Sequence, residues 1–243
     1  MKQIAVVTGA GRGVGRITAI TLAKQGWVVV VAGRDKVAID AVAKEAGGES
    51  VGIVCDVSDP ESVKSLFAQV KSSFGRVDLL FNNAGVVIPG VPLEDVKVED
   101  WQKVVDVNIS GVFYCTQQAF ALMKTQSPMG GRIINNGSIS ANTPRPFSAP
   151  YTATKHAITG LTKSIALDGR ADRIACSQID IGNAATDMTQ VISKGVIQAE
   201  EAAIAHYRKI IKLCEGEDYV TQDLAIRLQA DEEEHLQTFE GYL

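Results

Sequence analysis

Tyr151 and Lys155 stand four residues apart in a stretch, about 151–167, that reads as a helix. A phenol with a free pKa of about 10 is a poor base near neutrality. A lysine at i+4 brings an ammonium beside the phenol and lowers that pKa. Such a tyrosine can remove the hydroxyl proton when an alcohol loses hydride, and return it when a carbonyl gains hydride. Ser138 follows an apolar strand, where its hydroxyl can hold the substrate oxygen. A lone Tyr-x-x-x-Lys is usually a surface helix pair. Ser138 and a glycine-rich turn elsewhere in the chain tip the balance toward chemistry.

That turn is Thr8-Gly9-Ala10-Gly11-Arg12-Gly13-Val14-Gly15. Glycines at 9, 11, 13 and 15 allow the backbone to turn tightly and approach a pyrophosphate. A helix beginning there offers amide donors and the positive end of its dipole to the anion. The pattern alone is weak, but its place between a first strand and a first helix strengthens it. At the end of the second strand stands Ala32-Gly33-Arg34, with no carboxylate at 33 to bond a ribose hydroxyl. Arg34 and Arg12 match the geometry of a 2′-phosphate, so the expected cofactor is NADP(H). The bland alternative is two solvated arginines.

The elements that must position these groups alternate along the chain. Strands are expected at 4–8, Trp27–Ala32, Val51–Cys55, Val77–Phe81, Gly131–Asn136 and Arg173–Ile181. Helices are expected from the glycine turn to about Gln25, over Asp35–Ala46, from Asp59-Pro60 to Phe74, across roughly 99–124, and at 151–167. Asp59 as a cap with proline at the first helical position, and Gly47-Gly48 after a helix, mark the ends. The strands are near-continuous apolar runs, which predicts burial on both faces in a parallel sheet. The fold class is therefore α/β, a doubly wound parallel sheet of order 3-2-1-4-5-6.

Residues 1–199 resemble the short-chain dehydrogenase/reductase family. The resemblance is carried by Thr8–Gly15, Asn82-Asn83-Ala84-Gly85, Asn108, Ser138 and Tyr151-Thr152-Ala153-Thr154-Lys155, in the family's order and spacing. It implies a Rossmann domain. It implies that Lys155 also bonds the nicotinamide ribose, and that Asn108 holds a water linking Lys155 to solvent. It assigns adenine contacts to Asp56 and Val57, the adenosine-side loop to Asn82, Ala84 and Gly85, and the nicotinamide carboxamide to Thr186. Val14 belongs to the phosphate turn, and Gly182 to the loop after strand six. Ile181-Gly182 replaces the family's usual Pro-Gly there.

After Ala199 the resemblance ends, and the family's lid helix and seventh strand have no counterpart. Residues 200–243 read as a two-helix hairpin, about 200–215 and 219–241, joined at Gly216-Glu217-Asp218. They resemble the second half of a ferritin-like, bacterioferritin-type four-helix bundle. In that family a helical Glu and a Glu-x-x-His pair bind iron. Here Glu200, Glu232 and His235 fall on apolar helix faces, while Glu233 and Glu234 do not. A DEEEH run is ordinarily a solvated face. One hairpin supplies half a di-iron site. Two chains pairing their hairpins would complete it, or the hairpin packs back on its own domain, since an apolar stripe must be buried. The layout, a dinucleotide domain over 1–199 and a hairpin over 200–243, suggests a chimera, engineered or accidental.

Composition bounds the rest. The chain has 243 residues, 46% hydrophobic, with net charge −4, which gives no reason to expect nucleic acid. No apolar run reaches the length of a membrane span, and Met1–Val7 reads as a strand rather than a signal peptide. Cys55, Cys115, Cys176 and Cys214 are widely spaced, as free thiols of a cytoplasmic protein would be. The expectation is an NADP(H)-dependent oxidoreductase acting on a small carbonyl or alcohol, as a homo-oligomer (dimer or tetramer). The alternatives are a ferritin-like iron-binding or oligomerising module, and a cofactor binder without turnover.

Overall fold

The computed structural model describes residues 2–181. The chain alternates strand and helix: β1 (Ile4–Thr8), α1 (Gly13–Lys24), β2 (Val28–Gly33), α2 (Lys36–Ala46), β3 (Val51–Val54), α3 (Pro60–Phe74) and β4 (Leu79–Asn82). Then come α4 (Val98–Val105), α5 (Gly111–Thr125), β5 (Gly131–Asn136), α6 (Ala149–Asp168) and β6 (Ile174–Ile179). All six strands pair in parallel in the order β3-β2-β1-β4-β5-β6, as the sequence predicts. The order reverses between β1 and β4. That switch point opens a crevice at the carboxyl ends of the strands, where the glycine turn leaves β1.

Local chemistry sets the boundaries. Asp35 caps α2 by accepting from Ala38 N at 3.1 Å. Asp59 caps α3 by accepting from Glu61 N at 3.0 Å, with Pro60 at the first helical position. Gly75 ends α3 in the left-handed region. The valine run Val28–Val31 is wholly buried between two apolar layers, one holding Val30 and Leu66, the other Val31 and Ile39. Each such side chain contributes about 1.5–3 kcal/mol.

Two expectations need correction. Burial on both faces holds for β1 and for Val28–Ala32 of β2, but not for β3, where Val51 and Val54 are exposed. The physical reason is position, because β3 pairs with β2 alone. β5 and β6 are also only partly covered, with Arg132, Ala175 and Ile179 exposed. Second, the single helix expected across 99–124 is present but carries a π-helical turn within it. Asp106–Ser110 forms a π-helical turn between α4 and α5. Such a turn inserts an extra residue and re-aims the side chains within it.

The described residues fall into two units. Residues 2–87, 97–143 and 150–181 form one, which holds the sheet. Residues 88–96 and 144–149 belong to the other. Within the second unit Leu93–Asp95 makes a short 3-10 turn, and Ser148 Oγ donates to Arg145 O at 2.6 Å. Among the described residues no helix is long and apolar enough to cross a membrane.

Candidate active site at the carboxyl edge of the sheet

The glycine turn is held by its neighbours on β4. Thr8 Oγ1 accepts from Asn83 N and Ala84 N, both at 3.0 Å, and donates to Phe81 O at 3.3 Å. Asn83 Nδ2 donates to Thr8 O at 2.9 Å and Gly9 O at 3.3 Å. Gly9 has φ +63°, and a Cβ there would lie 2.8 Å from Ala84 Cα. At Gly15 a Cβ would lie 2.5 Å from Asn83 Nδ2 and 2.6 Å from Gly9 O. Both sites therefore require glycine, for backbone conformation at one and close approach at the other. α1 begins at Gly13, and the Arg12 side chain makes no capping bond there. The first amides of α1 thus stay open to an anion. Gly11 packs toward Ala38, and Val14 packs on the apolar layer behind the turn.

Arg12 and Arg34 are both exposed and make no ion pair among the described residues. Asp35, the carboxylate that follows Arg34 in the chain, is engaged as the cap of α2. A cavity of about 510 Å3 opens beside Arg34, lined also by Ser58, Lys103, Asp106 and Val107. Asp56, just beyond β3, accepts from Ser58 N at 3.0 Å and Ser58 Oγ at 2.6 Å. Burial opposes its ionisation, but these bonds and the Arg34 charge outweigh burial and lower its pKa. Val57 is buried against Gly111 at the start of α5. A second cavity, of about 480 Å3, lies at the amino ends of β1, β4 and β5 around Trp27 and Arg132, and holds none of the predicted site residues.

The chemical groups gather across the ends of β4, β5 and β6. Lys155 is buried, and its Nζ donates to Asn136 O at 2.7 Å. The same Nζ lies 5.4 Å from the centroid of the Tyr151 ring. Burial pushes Lys155 down to about 8, with Asp180 pulling the other way. Ser138 is buried, its Oγ accepting from Ser140 N at 3.1 Å and its N–H donating to Asp180 Oδ1 at 3.1 Å.

Asn108 sits in the π-helical turn and is buried. Its side chain grips the backbone of Val86, accepting from the N–H at 2.8 Å and donating to the carbonyl at 2.9 Å. It also donates to Thr154 Oγ1 at 3.3 Å, which ties the turn to α6. Gly85 faces Asn108 Oδ1. Asn82 Nδ2 bonds Asn135 Oδ1 at 2.9 Å and Thr116 Oγ1 at 3.1 Å. Asn136 Nδ2 donates to Asn83 Oδ1 at 3.1 Å, joining the glycine turn to the strand end that holds Lys155. The buried Oδ1 atoms of Asn82 and Asn136 have no partner among the described residues.

Gly182, Thr186, Glu200, Glu232 and His235 lie outside the described residues. Among the described residues no cluster of three or more His, Cys, Asp or Glu could hold a metal. Cys55, Cys115 and Cys176 are free. Burial raises all three thiols, Cys55 and Cys176 to about 11, which leaves them inert near neutrality. Sequence reasoning missed Asp180, Asn83 and Asn136. A polar run closing an apolar strand was the available signal for the asparagines.

Comparison with known proteins matches this arrangement. A family model described as short chain dehydrogenase covers residues 3–196. A model described as a ferritin-like domain covers residues 152–243, so the two overlap over 152–196. A 3beta-hydroxysteroid dehydrogenase of Mediterraneibacter gnavus is 38% identical over 192 residues, 78% of this chain and 68% of that protein. A 3-oxoacyl-(acyl-carrier-protein) reductase of Synechocystis is also 38% identical, over 77% of this chain and 76% of that protein. The crystal structure of a Brucella melitensis 3-ketoacyl-(acyl-carrier-protein) reductase complexed with NADH aligns with TM-score 0.76 and 31% identity, covering 78% of this chain and 79% of that one. A gluconate 5-dehydrogenase from Burkholderia cenocepacia, in complex with NADP and tartrate, aligns with TM-score 0.70 and 31% identity, covering 75% and 72%.

Proposed function

The chain belongs to the short chain dehydrogenase family, and from that premise we propose that it transfers hydride between NADP(H) and a small carbonyl or alcohol substrate. The observation that carries the proposal is the buried Lys155 ammonium beside the Tyr151 ring. Ser138 holds the substrate oxygen. Tyr151 passes its proton to that oxygen in reduction and takes it back in oxidation. Lys155 keeps the phenol acidic enough to do so and bonds the nicotinamide ribose. Asn108 fixes the π-helical turn against α6 and holds the water that links Lys155 to solvent. NADPH, when bound, supplies the hydride.

The residues present fit that cofactor. The uncapped start of α1 and Gly9–Gly15 suit a pyrophosphate. Two buried asparagine oxygens at the strand ends, on Asn82 and Asn136, lack partners among the described residues. Asp56 and Val57 take the adenine, with Asn82, Ala84 and Gly85 beneath the adenosine. Arg12 and Arg34 take the 2′-phosphate, since Asp35 is spent on α2. Gly182 and Thr186 are assigned to the nicotinamide side. NADPH fluorescence titration, followed by absorbance at 340 nm against a panel of carbonyls, tests the proposal. Binding without turnover on any carbonyl would leave only a cofactor binder.

The ferritin-like match to 152–243 favours a second role for 200–243. In this reading the dinucleotide domain ends near 199, and the hairpin pairs between chains. Glu200, Glu232 and His235 then contribute iron ligands. Metal analysis and light scattering of the full chain decide it. A monomer with no iron above a Glu232→Ala control would end it.

A further inference from the structure

We propose that Asp180 is a positioning residue of this centre, setting the Ser138 loop through the Ser138 N–H. The inference rests on the roles proposed above for Ser138 and Lys155. Beyond the paired strands, the backbone bonds between the β5 and β6 segments continue with Gly137 N to Ile179 O at 2.8 Å and Ile139 N to Ile181 O at 3.3 Å. Between them the Ser138 N–H takes the Asp180 side chain instead, at 3.1 Å. The carboxylate is itself held by Gln178 Nε2 at 2.5 Å, and Gln178 is anchored to Thr159 Oγ1 at 3.0 Å on α6. Any Cβ at position 137 would run into Asp180 Oδ1, so Gly137 makes the room that the carboxylate occupies.

The charge has a function of its own. Burial drives Lys155 toward its neutral form, and the Asp180 charge opposes that. Among the described residues, the titratable groups facing Lys155 are the Tyr151 phenol on its own helix and the Asp180 carboxylate beyond β6. β5 contributes only the neutral Asn136 carbonyl. Asp180 thus keeps the ammonium charged over a wider pH range and holds the backbone of Ser138 from the same carboxylate.

The test separates charge from geometry. Asp180→Asn keeps an acceptor for Ser138 N and removes the charge, while Asp180→Ala removes both. Lysine side-chain NMR titration of the full chain without cofactor, assigned with Lys155→Met, follows Lys155 directly. The Lys155 midpoint is expected to fall by about half a pH unit or more in both variants. Amide-exchange protection at Ser138 is expected to fall in the alanine variant alone. The alkaline limb of carbonyl reduction should move to lower pH by the same amount as the NMR midpoint. Unchanged amide-exchange protection at Ser138 in Asp180→Ala, or an unchanged Lys155 midpoint in Asp180→Asn, overturns the inference even if the parent reduces carbonyls. If the parent neither binds NADPH nor turns over, the proposed function fails while the NMR result still decides the role of Asp180.

Discussion

Lys155 Nζ sits 5.4 Å from the centroid of the Tyr151 ring while donating to Asn136 O at 2.7 Å. The strand end thus holds the ammonium over the Tyr151 ring. Tyr151→Phe keeps the ring that Lys155 faces and removes the proton it serves. Turnover should fall by about a hundredfold or more. The NADPH dissociation constant should move little. Turnover surviving at parental rate would remove Tyr151 from the chemistry.

Lys155 also predicts opposite trends in activity and stability. Its pKa is lowered to about 8 by burial, against an unfolded value near 10.4. Between those values the unfolded chain holds one more proton than the folded one, so this group adds stability as pH rises. Cys55 and Cys176, raised to about 11, act in the other direction. The comparison is therefore parent against Lys155→Met in denaturant melts. The parent's deficit should shrink by up to about 1.4 kcal/mol per pH unit from pH 8 toward 10. Carbonyl reduction should decline over the same interval, because the ammonium is lost. A deficit independent of pH would contradict the assigned burial of the charge.

The proposed preference for NADP(H) is tested at Arg34. Removing a guanidinium that bonds a phosphate costs about 1.5–3 kcal/mol. Arg34→Ala should therefore weaken NADPH by about tenfold or more and leave NADH nearly unchanged. Equal losses for the two cofactors would reassign Arg34 to the protein surface.

The glycine turn gives a prediction independent of chemistry. Gly15→Ala would bring a Cβ to 2.6 Å from Gly9 O and 2.5 Å from Asn83 Nδ2. The Asn83 bonds to Thr8 O and Gly9 O would be displaced. A loss of about 1–3 kcal/mol in unfolding free energy is expected, together with loss of NADPH binding. Parental stability and affinity in this variant would mean that the turn is free to open.

Much of this was legible in the chain itself. Continuous apolar runs specify parallel strands, because such strands are covered on both faces, and turn chemistry marks the helix ends. Strand order followed from the alternation of strands and helices. Asp59-Pro60 and the glycine turn lie where local rules put them. The Tyr151–Lys155 pair is a local fact too, since i and i+4 meet on any helix. What local rules could not give was the π-helical turn at Asp106–Ser110, which contains no glycine or proline of its own. It exists because Asn108 is held between Val86 and Thr154, residues far away in the chain.

By itself, then, the sequence determined the strand order, the glycine turn and the spacing of the reactive pair, all of which depend on periodicity and near neighbours. Only the tertiary structure decided that Asn108 ties its turn to Val86 and Thr154. It also decided that Asn83 and Asn136 join the glycine turn to Lys155, and that Asp180 reaches the backbone of Ser138. Those contacts join groups at separate strand ends, in the π-helical turn and on α6. Their partners are chosen by sheet order and register rather than by distance along the chain.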